Sequence, residues 1–178
     1  MALAFAWVLL MTLAGRDEIA GMGIIFAILA LVIFLVRIWP VARRTSLLAR
    51  RPERHALAGG LLLGVTIVYI FVAIQAAGGD FTRIPRSQII AFTHLEAVAA
   101  TTNAMLAFVV FLSRRTSPPS VVDDVVFWGL NIGVIGFVVA LTAELPGLYL
   151  VFVPVMGVAL LIAVGVHVAA LRTAPAEA

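Results

Sequence analysis

Five apolar runs, at 19–38, 56–77, 87–112, 121–143 and 146–171, are each bounded by Arg, Pro, Gly or acidic residues and leave this chain few folds. A hydrocarbon core about 30 Å thick takes about 20 residues of helix, and open strands cannot cross it because their backbone groups would lack partners. Composition agrees: 63% of the residues are hydrophobic and 12% charged, against about 45–50% and about 25% in soluble domains. With a mean hydropathy of +1.17 there is too little polar surface to clothe a water-soluble globule. The expected fold is therefore all-α, a polytopic transmembrane helical bundle forming a single integral membrane domain over residues 1–178. Residues 1–14, MALAFAWVLLMTLA, reach about 21 Å as a helix. They are expected to add a short sixth helix over about 2–14, joined to the next by the Gly15-Arg16-Asp17-Glu18 turn. A signal peptide is the alternative for this stretch, but its basic leading region is missing.

The residues that are missing narrow the chemistry. There is no Cys, which excludes disulfides, thiolate metal sites and Cys nucleophiles. All twelve basic residues are Arg, which excludes a Lys Schiff base and a P-loop Lys. No GxSxG, HExxH or GxGxxG is present, so no recognisable reaction centre argues for an enzyme. The basic isoelectric point, about 10.6, does not point to nucleic acid, because the Arg residues fall between apolar runs and serve orientation in the bilayer. Nine of them (37, 43, 44, 50, 51, 54, 114, 115 and 172) lie on one side and Arg16, Arg83 and Arg86 on the other. Basic loops stay cytoplasmic. The expectation is a multi-pass protein of the cell (inner) membrane with a cytoplasmic C-terminus, and a cytoplasmic N-terminus if the short first helix spans. The stretch Pro40 to His55 is expected to lie on anionic lipid with Val41, Leu47 and Leu48 dipping inward.

Close helix approach in lipid occurs at small residues. Gly60/Gly64 and Gly129/Gly133 form GxxxG steps, with Gly136 and Ala140 continuing the second. They serve either packing within the chain or docking of a second copy or a partner membrane subunit. Ala97, Ala99, Ala100, Ala104 and Ala107 make the third helix small on most sides, as suits a central helix. Pro154 is expected to bend the last one.

Ionisable side chains at membrane depth are expensive and are the default functional candidates. In the third span His94 and Glu96 fall about 9 Å and about 6 Å to the outward side of its middle. Two positions apart, they project away from each other and do not form a direct pair. Thr66, Thr101, Thr102, Asn103 and Asn131 form an expected mid-membrane polar layer, with Tyr69, Gln75, Thr93, Thr142 and Glu144 on its outward side. This arrangement reads as a small-ligand, cofactor or proton site opening outward, or, for the Thr and Asn residues, as hydrogen bonding between helices. His167 falls near the inner end of the last helix. It differs from His94 by about 20 Å in depth, so the two cannot ligate one metal within one chain. His55 is expected to be solvated among the Arg residues, and His167 to reach toward headgroups. Asp123 and Asp124 suit the positive start of the fourth helix and are expected to pair with Arg114 or Arg115.

The run Phe92-Thr93-His94-Leu95-Glu96, followed by Thr101-Thr102-Asn103, resembles the haem-bearing helix of haem-copper oxidase and nitric oxide reductase catalytic subunits and of small membrane proteins similar to them. The resemblance covers one helix and implies that His94 is an axial ligand of a low-spin haem. The family's second axial ligand and its copper-binding histidines have no counterpart here, so copper chemistry and oxygen reduction are not implied. A second protomer or another subunit would have to supply the missing ligand. Three readings follow: a b-type haem-binding or redox-associated membrane subunit, a small transporter or proton/solute channel using Glu96, and a non-catalytic assembly subunit.

Overall fold

The computed structural model describes residues 22–113 and 120–172, and their regular structure is entirely helical. The expected helix at 2–14, its following turn, and Arg114 and Arg115 lie outside the described residues. Two compact units are present, Met1–Arg43 and Arg44–Ala178. In the first, α1 (Met22–Arg44) carries Pro40 inside it, and Arg43 lies 4.8 Å over the Trp39 ring. Because α1 runs through Pro40, the connection expected to lie along the lipid surface shortens to residues 45–51.

The second unit is a bundle in which four helices are long and apolar enough to cross a membrane: Pro52–Ala76, Arg86–Leu112, Val121–Thr142 and Pro146–His167. These are the features of a multi-pass helical membrane protein. The first of them, α2 (Pro52–Ala76), starts with Pro in its first turn, where the missing N–H is no loss, and with Glu53 beside the positive helix end. It ends in a Schellman turn. Gly79 N–H reaches the Ile74 carbonyl at 2.9 Å and Gly78 N–H the Gln75 carbonyl at 3.0 Å, with Gly78 at φ 71°, a conformation that glycine adopts without penalty. Asp80 then opens a short 3-10 turn, Phe81–Arg83, accepting from the Thr82 hydroxyl at 2.7 Å and its N–H at 2.9 Å. Those two bonds, helped by Arg83, hold the Asp80 carboxyl below its usual range.

The third span is not a uniform α-helix. An α-helical start, α3 (Arg86–Thr93), gives way to a π-helical segment from His94 to Thr101 and returns to α-helix in α4 (Thr102–Ser113). Thr101 and Thr102 donate their hydroxyls five residues back, to the Glu96 and Ala97 carbonyls at 3.0 and 3.3 Å. These bonds follow the i→i+5 pattern of the widened turns, which are rare and concentrate at functional sites.

α5 (Val121–Thr142) is started by Asp123, whose carboxylate accepts the Ser120 N–H at 2.6 Å. After the 3-10 turn Pro146–Leu148, α6 (Tyr149–Arg172) runs unbroken with Pro154 inside it. The third span is central, packing against α2, α5 and α6, whereas α2 and α5 scarcely approach each other. One apolar cluster joins Leu62, Leu95, Ala99, Val134 and Val138; a second joins Leu106, Val126, Leu130, Ala159 and Ala163.

The glycine face of α5 is occupied within the chain. A Cβ on Gly133 would stand 2.8 Å from the Met156 Cβ and 2.9 Å from its backbone nitrogen, and one on Gly129 2.9 Å from the Ala159 Cβ. On α2 the tightest approach is at Gly59, where a Cβ would stand 2.9 Å from the Ala100 carbonyl oxygen. Gly60 beside it is buried and Gly64 half-buried.

Candidate functional site

Polar side chains gather in two places along the bundle. The larger centre lies at the basic end, where α2 and α5 begin. His55 is 1% exposed and Asn103 0%, and His55 Nδ1 lies 3.1 Å from Asn103 Oδ1. The Asn103 amide nitrogen donates to the Ala99 carbonyl at 2.8 Å and to Asn131 Oδ1 at 2.9 Å. Asn131 donates in turn to the Phe127 carbonyl at 2.7 Å. With both amide nitrogens committed to carbonyls, Asn103 Oδ1 is the acceptor toward His55. Neutral His55 therefore carries its proton on Nδ1 and leaves Nε2 without one.

One residue earlier, Arg54 is equally buried. Its guanidinium donates to Asp124 Oδ1 at 2.7 Å and to the Asp123 carbonyl at 2.5 Å, and it stacks 4.5 Å over Phe127, whose ring also meets His55 edge-on at 5.0 Å. Arg50 adds a second bond to Asp124 at 2.6 Å, nearer the surface. An arginine taken out of water needs this degree of pairing. His167 of α6 is also buried, close enough to His55 for the two rings to interact electrostatically.

Two expectations are corrected here. His55 is in the core, not solvated, because the Arg54–Asp124 pair closes the helix end over it. His167 is buried by the packing of α6 and does not reach toward headgroups. Among the described residues Asp124 pairs with Arg50, in the connection before α2, and with Arg54 in the first turn of α2; the expected pairing with Arg114 or Arg115 involves residues outside the described ones.

A smaller centre surrounds His94, where the π-helical segment begins. His94 is half-buried, with Nδ1 bonded to the Ile90 carbonyl at 2.8 Å and its ring 4.8 Å from Phe137. Tyr149 meets the Phe137 ring edge-on at 5.7 Å. A carbonyl only accepts, so Nδ1 carries the proton in the neutral ring and Nε2 is left with a lone pair. That is the state in which metal-ligating histidines are held, their second nitrogen bonded to a carbonyl or carboxylate.

The other expected site residues are dispersed. Asn103 and Asn131 do meet, but in the His55 centre. Thr66 is buried and donates to its own helix at Leu62, 2.7 Å away, and Thr101 bonds back to Glu96 as described. Tyr69 and Thr142 pair at 2.9 Å. Glu96, Gln75 and Glu144 are exposed, so the polar layer is not one continuous site. Sequence reasoning missed Arg54 and His55 because five other Arg residues nearby make that stretch resemble surface. Gly59, four residues on and thus on the same helix face, is the signal that pointed inward. Among the described residues no group of three or more His, Asp or Glu is placed to hold a metal ion.

No protein-family model, no curated protein and no solved structure matches this chain.

Proposed function

We propose that the protein is a small cofactor-binding, redox-associated membrane subunit in which His94 is one axial ligand of a b-type haem. The observation that carries this reading is the His94 ring itself, fixed through Nδ1 to the Ile90 carbonyl with Nε2 left to donate, at the first residue of a π-helical segment. Phe137 and Tyr149 add an apolar aromatic wall. A bound haem supplies one-electron chemistry, and this chain supplies ligation and a low-dielectric surround. Neither His55 nor His167, both in the basic-end centre, serves as the second ligand. That ligand comes from a second copy, whose His94 is level with the first across a two-fold axis, or from another subunit. In this reading α1 and residues 2–14 add to the four spans, and the basic end of the bundle faces the cytoplasm of a cell with an inner membrane.

The absorption spectrum of the protein purified in mild detergent tests the proposal. A Soret band is expected, and its absence from protein supplied with haemin would overturn the reading. One observation favours proton or solute transfer instead: an imidazole sealed into a chain of side-chain amides, His55–Asn103–Asn131. Glu96, exposed on the third span, is not joined to that chain. Proteoliposome flux that falls in His55→Ala but not in Glu96→Gln supports transfer through the basic-end centre; flux unchanged in both removes it.

A further inference from the structure

Because α2 and α5 pack on the central span while their backbones scarcely approach each other, a cleft of about 590 Å³ opens between them on the flank of the bundle. That is the size of a small-molecule site, about 300–1,000 Å³. Leu62 and Leu95 form its buried floor, and Val65, Ile135 and Val139 stand exposed along its mouth. Its walls are apolar apart from two hydroxyls, Tyr69 and Thr142, which bridge the helices at 2.9 Å at the end away from the basic residues.

Those hydroxyls have a determined polarity. Thr142 donates its single proton to the Val138 carbonyl at 2.8 Å, so in the pair Tyr69 is the donor and Thr142 Oγ the acceptor. Both protons are then spent. What the closed pair has left at this end of the cleft is lone pairs alone, on the Tyr69 phenol oxygen and on Thr142 Oγ, acceptors with no free donor beside them. An apolar cleft with only acceptors at its polar end selects a molecule with an apolar body and a hydroxyl head. A ketone, ester or ether head finds no proton to bond and loses its hydration on entry. We infer that this cleft is a binding site for a lipid-soluble alcohol or phenol, whose hydroxyl donates to Tyr69 Oη while its hydrocarbon body lies between α2 and α5. The site is separate from His94, which does not line it, and it stands or falls independently of haem ligation.

Photolabelling in vesicles tests this with two probes, a diazirine-bearing hexadecanol and its methyl ether, the labelled residues being located by mass spectrometry. The alcohol is expected to label the Val65, Leu95 and Val139 region about five- to tenfold more than the ether, the worth of one hydrogen bond. Thr142→Val removes the acceptor that engages Tyr69 and frees its proton, so ether labelling should rise to the level of the alcohol. Tyr69→Phe combined with Thr142→Val should erase the difference while leaving ether labelling at its wild-type level, which shows that the cleft is still formed. Equal labelling of the wild type by both probes would mean that ordinary lipid chains fill the cleft, and would overturn the inference. So would a preference that survives in the double variant. Competition by unlabelled hexadecanol against 4-nonylphenol distinguishes an aliphatic head from an aromatic one, and failure of both to compete also counts against the site.

Discussion

Asn103 holds the basic-end centre together, since its one amide serves His55, Asn131 and the Ala99 carbonyl at once. Asn103→Leu leaves a buried imidazole nitrogen and a buried amide oxygen without partners, and is expected to destabilise the bundle by about 1–3 kcal/mol. Asn131→Leu removes one interhelical pair and should cost less, about 0.6 kcal/mol. In the double variant the losses should not add, because both report on the same bonds. Unfolding in mixed micelles measures all three. A loss at Asn131 as large as at Asn103 would contradict the network as described. The sequence shows both Asn residues at membrane depth, but it cannot show that they meet. That depends on the rotation of the central span against α5, which the apolar pattern leaves open because the helices are apolar on nearly every side. Glu96 illustrates the same limit: its depth is legible, its exposed direction is not.

At the scale of elements, the ends of α2 and α5 use one device with different residues. In α5 the Leu145 N–H returns to the Ala140 carbonyl at 2.8 Å and the Glu144 N–H to the Leu141 carbonyl at 3.3 Å, the same Schellman pattern that Gly78 and Gly79 complete after α2. Here Glu144 occupies the left-handed position at φ 56°, where a Cβ is disfavoured by about 1–2 kcal/mol. Part of that is returned by the extra freedom glycine has when unfolded, so Glu144→Gly is expected to stabilise by up to about 1 kcal/mol, read as a rise in melting temperature. A fall would show that the Glu144 side chain contributes more than its backbone costs. The helix ends themselves are legible because Gly, Pro and acidic residues mark them: expected spans at 56–77, 87–112 and 121–143 fall within a few residues of Pro52–Ala76, Arg86–Leu112 and Val121–Thr142. The π-helical segment is not. Hydrophobic periodicity over eight residues hardly distinguishes a widened turn from an α-turn, and the only trace is the adjacent Thr101 and Thr102, whose hydroxyls bond five residues back.

Across the whole molecule, the bundle is tied at both ends and parted between them. Arg54, Asp124 and the His55–Asn103–Asn131 chain draw the starts of α2 and α5 onto the central span, Tyr69 and Thr142 bridge their other ends, and His94 stands apart from both ties. Membrane class and central span follow from composition and from the run of Ala residues. The four helices long and apolar enough to cross a membrane follow too, whereas the pairing of acidic and basic residues across helices does not. In the proposed reading this architecture sets apart His94, half-buried with Nδ1 on the Ile90 carbonyl, from His55 and His167, which are enclosed. Titration of haemin into His94→Ala, His55→Ala and His167→Ala, followed at the Soret band, tests that reading most directly. The first variant is expected to lose the band while the other two retain it; a band that persists without His94, or that disappears with His55 or His167 in protein that is still helical, would contradict it.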